Sequence, residues 1–271
     1  MYIHISIRGG EMTYETINLE VKDRLATLTL SRPQAMNSMD AKMMGELADC
    51  FESLKDHNEV QILVVKGDGK AFSAGGDIKM MLQSNEVTDF NVLMQEVTRL
   101  ALAFYQLPMI TIAQVHGAAA GLGFSLALAH DILVAEESTK LAMNFIGIGL
   151  VPDGGGHFFM KERLGVPKAK QVIWEGRVMN GHEAHQLGLV DHVAPEGNAE
   201  QFVNQIVQKL LASPISAMIE TKKLYHQQKL DELKATLESE ANAQTRMRQT
   251  EDHLEGIQAF VEKRKPVFKG K

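Results

Sequence analysis

Cysteine is nearly absent. Cys50 stands alone among 271 residues, so no disulfide can close within the chain, and a lone thiol fits the reducing cytoplasm. It lies among Leu47, Ala48, Phe51 and Leu54, the setting of a packed helical thiol rather than of a nucleophile. No apolar run approaches a membrane span. Acidic and basic residues are mixed and the net charge is −6, which gives no reason to expect nucleic acid as a partner. Several chemical signatures are missing too. Gly67-Asp-Gly-Lys70 lacks the upstream glycine and the following Ser/Thr of a phosphate loop, and Gly121-Leu-Gly123 lacks the third glycine of a dinucleotide fingerprint. His182 and His185 stand three apart where a zinc-binding helix needs four. The other histidines do not cluster, so no metal is expected. No Gly-x-Ser-x-Gly elbow, linker, repeat or low-complexity tract interrupts the chain.

Two glycine loops stand out instead. Ala71-Phe-Ser-Ala-Gly-Gly-Asp-Ile-Lys79 follows the apolar run Ile62–Val65. Gly117-Ala-Ala-Ala-Gly121-Leu-Gly123 follows the run Met109–Val115 and leads into an Ala/Leu-rich helix. Glycine lets backbone approach a ligand closely, and the first N–H groups of a helix lack internal partners and carry the positive dipole end. Two such loops facing each other would bind an oxygen on which negative charge develops.

In chain order, Leu25–Leu30 reads as a strand closed by Arg32-Pro33, and Asp40 as the N-cap of a helix carrying Met44, Leu47, Phe51 and Leu54. A strand at 62–65, a helix over 86–105 ended by Pro108, a strand at 109–115 and another at 131–135 complete a layered α/β core. Beyond about residue 160 the strand signal fades, and short helices over 168–175 and 182–187 precede longer ones over 198–212 and 214–262. Residues 1–11 hold no convincing signal peptide, and Arg8-Gly-Gly-Glu-Met12 could be encoded by a purine-rich ribosome-binding stretch. Met12 is therefore the expected natural start, and 1–12 an N-terminal extension.

The third informative stretch is Gly149-Leu-Val-Pro-Asp153-Gly-Gly-Gly156. Two readings are open. Asp153 could cap the next helix from a glycine-rich turn. Alternatively, its apolar neighbours Ile148, Leu150, Val151 and Pro152 could desolvate it and raise its pKa into the range useful for moving protons. Ser125, one turn inside a helix, reads as a small packing residue rather than a nucleophile.

Taken in order, these blocks resemble the crotonase (enoyl-CoA hydratase/isomerase) superfamily from about Tyr14 onward. The matching pieces are Arg32-Pro33 through Asn37, Ala71–Lys79, Val115-His-Gly117 through Asp131, Gly149–Gly155 and the tail Glu255–Lys265. The resemblance implies a ββα spiral core over 13–195 that binds acyl-CoA, with a helical trimerisation region over 196–271. Homotrimers or dimers of trimers are the expected assembly, and coenzyme A enters as part of the substrate with no separate cofactor. By position, the backbone N–H groups of Gly76 and Leu122 would hold the thioester oxygen. Ala74, Gly76, Asp77, Ile78, Lys79 and Leu122 would line the CoA path, and Lys263 would meet the CoA phosphate of a neighbouring subunit.

The departures decide the chemistry. Hydratases of the family carry glutamates where this chain has Ser125 and Phe145, neither of which can activate water. Asp153 falls where Δ3,Δ2-enoyl-CoA isomerases and epoxyphenylacetyl-CoA isomerases look to carry their acid. The expectation is a double-bond isomerase. A hydratase, a thioester hydrolase and a non-catalytic acyl-CoA-binding protein are the alternatives.

Overall fold

Continuous apolar runs make the central strands. The computed structural model describes residues 6–7, 10–11, 14–77 and 87–271; most of the expected N-terminal extension, and Ile78 and Lys79, lie outside them. After the short pair Ser6–Ile7 (β1) and Gly10–Glu11 (β2), the main strands are Ile17–Lys22 (β3), Leu25–Leu30 (β4), Ile62–Gly67 (β5), Ile110–Val115 (β6), Ile132–Glu136 (β8) and His192–Ala194 (β10). They form one sheet in the order β10-β8-β6-β5-β4-β3, in which β3 and β4 are antiparallel and every other pair is parallel. All six residues of β6 are buried, as expected of a parallel strand covered on both faces. Helix Ala41–Leu54 (α1), started by Asp40 whose side chain accepts from Met43 N at 2.9 Å, packs on Val87–Tyr105 (α2). Phe51 meets Phe104 edge-on there, with ring centroids 5.0 Å apart.

A second, shorter ladder runs beside the sheet. Met39 bridges Gly76, Ser73 bridges Ala119, and Ala118–Ala120 (β7) pairs in parallel with Lys140–Ala142 (β9). Each turn of chain thus gives a long strand to the sheet and then a short extended piece to this ladder before its helix, which is the ββα spiral. Neither short strand is legible in the sequence, because three residues show no period.

The helices after β7 are Leu122–Leu128 (α3), Gly156–Glu175 (α4), Gly181–Leu187 (α5), Ala199–Leu211 (α6), Ile215–Met247 (α7) and Glu251–Val261 (α8). Three differ from the sequence reading. α4 begins twelve residues before the predicted 168; Gly165, at φ 71° and ψ 159°, and Pro167 break it into two pieces and hide its first half. The predicted 214–262 helix is two helices, divided where Thr250 accepts from His253 N at 3.1 Å and starts α8. β10 lies beyond residue 160, where strands were not expected.

The last third is not a detachable layer. Val203 and Val207 of α6 and Ile215 and Ile219 of α7 cover Ile62, Ile110, Ile112 and Val134 on one face of the sheet. Leu233 and Leu237 of α7 join the main core on the other side. Lys222 of α7 is buried with its Nζ 2.7 Å from Asp131 Oδ2 and 2.8 Å from the Met109 carbonyl.

Candidate active site

The two glycine loops run side by side. Ser73 N donates to Ala118 O and Ala120 N donates to Ser73 O, both at 3.0 Å. Glycine is required at the crossing: Gly75 has φ +94°, and a Cβ there would stand 2.5 Å from the Ala120 carbonyl oxygen and 3.4 Å from Leu122 N. Gly76 follows, flanked by Met39 N to Gly75 O at 2.7 Å and Asp77 N to Met39 O at 3.0 Å. Leu122 is the first residue of α3, so its N–H has no helical acceptor. Among the described residues, neither the Gly76 nor the Leu122 N–H donates to any acceptor. Two free donors therefore sit on loops that touch.

Other expected residues are placed as follows. Ala74 N donates to Met36 O at 2.9 Å. The Asp77 carboxylate accepts from Arg32 Nη2 and Ser38 Oγ, each at 3.2 Å. Arg32 also pairs with Asp40 at 3.0 Å, so Asp77 ties the first glycine loop to the turn before α1. Ile78 and Lys79 are outside the described residues. Lys263, exposed just past α8, has φ +55°.

Asp153 belongs to the turn before α4. A Cβ on Gly154, whose φ is +63°, would lie 2.4 Å from Leu122 Cδ1, 3.6 Å from Ser125 Cβ and 3.8 Å from Val97 Cγ1. The turn therefore rests on the start of α3 and on α2. The carboxyl group is buried, with 6% of the residue exposed. Among the described residues, its Oδ2 accepts one hydrogen bond, from Gln244 Nε2 at 3.2 Å, and its Oδ1 has no partner. Burial first, and the charge of Glu240 second, push Asp153 well above the ordinary aspartate value.

The helix-cap reading of Asp153 does not hold. Its backbone carbonyl accepts from Gly156 N at 3.0 Å, but no side chain of the turn caps α4. Glu240 of α7 does so from outside: Oε2 accepts from Gly155 N at 2.8 Å, and Oε1 accepts from His157 N and meets His157 Nδ1, both at 2.9 Å. A carboxylate at this place complements the positive end of the helix.

Ser125 is fully buried, its Oγ 3.8 Å from Met143 Sδ, as the packing reading expects. Phe145 is buried, and its ring would meet a Cβ on Gly121 at 3.6 Å. Both positions where hydratases carry glutamate are thus filled without a titratable group. α8 closes over the segment before the turn: His253 Nδ1 lies 2.8 Å from Ile148 O, and a Cβ on Gly256 would stand 2.7 Å from Ile148 Cα.

Sequence reasoning missed Glu240 and Gln244. A signal existed: Leu233, Leu237, Glu240 and Gln244 recur at spacings of four, three and four, which puts two polar residues on the apolar stripe of α7.

Known proteins resemble the chain over nearly its whole length. Residues 20–271 match the family model described as enoyl-CoA hydratase/isomerase. The Bacillus subtilis protein YhaR, named for enoyl-CoA hydratase/isomerase activity, is 46% identical over 94% of this chain and 99% of its own length. The 1,2-epoxyphenylacetyl-CoA isomerase of Escherichia coli is 30% identical over 95% and 99%. The crystal structure of an enoyl-CoA hydratase from Mycobacterium avium subsp. paratuberculosis superposes with a TM-score of 0.85 at 30% identity, covering 95% of this chain and all of that one. With its spiral core, paired glycine loops and match over nearly its whole length, the chain belongs to the enoyl-CoA hydratase/isomerase family of the crotonase superfamily.

Proposed function

We propose that this enzyme moves a double bond in an acyl-CoA thioester, with Asp153 as the single proton carrier. The observation that carries the reading is the carboxyl group of Asp153, buried, raised in pKa, unclaimed at Oδ1 and set in a turn that rests on Leu122. The Gly76 and Leu122 N–H groups would hold the thioester oxygen as it gains charge. Preorganised donors of this kind each lower a barrier by about 3–4 kcal/mol. Ionised Asp153 takes a proton from the α carbon, the electron pair passes into the thioester as an enolate, and the protonated acid returns the proton at the γ carbon. Atoms and charge balance without water or an external cofactor; coenzyme A comes with the substrate.

The same reading places Ala74, Asp77, Ile78 and Lys79 along the CoA path, and Lys263 at the CoA phosphate of a neighbouring subunit. Leu254, Phe260, Val261, Val267 and Phe268 expose apolar side chains at the C-terminal end, a surface suited to burial in a trimer or a dimer of trimers. Among the described residues no helix is long and apolar enough to cross a membrane, and a cytoplasmic location belongs to the proposal. Water addition has little support here, since Ser125 and Phe145 offer no base.

The test is incubation with 3-enoyl-CoA and, separately, 2-enoyl-CoA in deuterated water, followed by mass spectrometry. Formation of 2-enoyl-CoA from the 3-enoyl substrate, lost in Asp153→Asn, is expected. Addition of water to 2-enoyl-CoA, or release of free acid, would refute the isomerase reading.

A further inference from the structure

Among the described residues, two buried acceptors have no hydrogen-bond partner, Asp153 Oδ1 and Gln244 Oε1, and they belong to side chains bonded to each other. Gln244 is 1% exposed, and its Nε2 donates to Val151 O at 2.6 Å as well as to Asp153 Oδ2 at 3.2 Å. Turning the amide over would set Oε1 against the Val151 carbonyl, acceptor against acceptor. The amide orientation is therefore fixed by the backbone. Oδ2 must accept, and a proton carried by Asp153 has only Oδ1 to occupy.

One turn earlier on α7, the Glu240 side chain is 2% exposed. Its two oxygens are met by the backbone N–H groups of Gly155 and His157 and by the His157 ring, a set of donors that suits a carboxylate anion. These partners fix the carboxyl group in place against the turn that carries Asp153.

We propose that Gln244 and Glu240 are a positioning pair for Asp153: the amide dictates which carboxyl oxygen carries the mobile proton, and the fixed carboxylate strengthens Asp153 as a base. The proposal rests on Asp153 being the proton carrier. The raised pKa of Asp153, with Glu240 as its second cause, agrees with the geometry. Among the described residues, other titratable groups close to the turn include His157 of α4, Arg246 in the last turn of α7 on the side of Val151 and Glu240, Arg248 just past the end of α7, and His253 of α8 on the Ile148 carbonyl. From α2 the residue that reaches Gly154 is the apolar Val97.

The test is direct titration of the Asp153 carboxyl by carbon-13 NMR in the full-length protein, with Asp153→Asn identifying the signal. In parallel, kcat and KM for 3-enoyl-CoA are measured against pH. Glu240→Gln should lower the titration midpoint by about one pH unit or more, because a like charge is removed. Gln244→Met should raise the midpoint and cut kcat about 10–100-fold, the range of a hydrogen bond to a charged group, with KM little changed. Should Glu240→Gln not fold, Gln244→Glu adds charge beside Oδ2 and must raise the midpoint in its place. Midpoints unmoved by these substitutions would overturn the pair. Because the titration is read without turnover, shifted midpoints in a protein inactive on 3-enoyl-CoA would sink the isomerase reading and leave the pair standing.

Discussion

Lys222 Nζ lies 2.7 Å from Asp131 Oδ2, joining the first third of the long helix α7 to the residue just before β8 across a buried contact. The same oxygen accepts from Thr111 N at 2.7 Å and Thr111 Oγ1 at 2.9 Å, on the neighbouring strand. Burial alone would raise the Asp131 pKa, but the Lys222 charge and these hydrogen bonds outweigh it and hold the carboxyl below its ordinary value. Lys222→Met leaves that charge buried without its cation, a change that costs about 3–5 kcal/mol. In urea, the unfolding midpoint should fall with the slope unchanged. The native pKa being depressed, the contribution of Asp131 is present above the ordinary aspartate value and is lost as pH falls through the native one. The variant's deficit should therefore shrink in acid.

Asp153 behaves in the opposite sense. Between the ordinary value of 3.8 and its raised native pKa, the folded protein holds a proton that the unfolded chain has released. Stability therefore falls as pH rises through that window. Asp153→Asn abolishes this slope, so the variant should melt above the wild type near neutral pH and show a much smaller gain near pH 4. Turnover should drop by about 10²–10⁴-fold while acyl-CoA binding, measured by calorimetry, is nearly retained. A protein that is stabilised as it loses activity is the expected mark of a strained catalytic group.

The wild-type pH profile follows from the same shift. A base must be ionised in the free enzyme, so kcat/KM should rise with pH along a limb centred well above 3.8. A limb at the ordinary aspartate value would remove Asp153 from the role of base.

Gly75→Ala tests the crossing of the loops. Its φ of +94° and the Ala120 oxygen 2.5 Å from the added carbon leave no place for a side chain. The loops must part, and the Gly76 and Leu122 donors part with them. A loss in kcat of about 10²–10³-fold, the effect of removing one such donor, should accompany a lower melting temperature.

Ser125→Glu, which restores one hydratase carboxylate in name, should not restore hydration. Ser125 is fully buried, and its Oγ already stands 2.8 Å from where a Cβ on Gly156 would be. Overpacking costs about 1–3 kcal/mol. The melting temperature should fall with no 3-hydroxyacyl-CoA formed.

The long elements were legible because their patterns are long. α1 and its Asp40 cap, α2, β5 and β6 lie within a residue or two of where apolar spacing puts them. So did the juxtaposed glycine loops, since two Gly-rich turns after two parallel strands emerge at the same sheet end. β7, β9 and β10 were not legible; each is three residues long and is held by partners far along the chain. Asp153 could be singled out from its apolar neighbours, but whether it capped a helix or stood free depended on residue 240. Contacts spanning 83 to 93 residues, from Glu240 and Gln244 to the Asp153 turn, leave no trace in a local window. What remained was the faint irregularity of two polar residues on an apolar stripe.

The dependence of the Asp153 turn on α7 has a consequence for the protein's birth. At about 5–20 residues per second of synthesis, Gln244 leaves the ribosome roughly 5–20 seconds after Asp153, 91 residues behind it. Throughout that interval both glycine loops and the acid already exist, yet the first N–H groups of α4 lack their carboxylate and Asp153 lacks its amide. A nascent or prematurely ended chain therefore carries every expected catalytic residue without a finished site. Under the proposed function, the segment that closes the core would also be the one that completes the site.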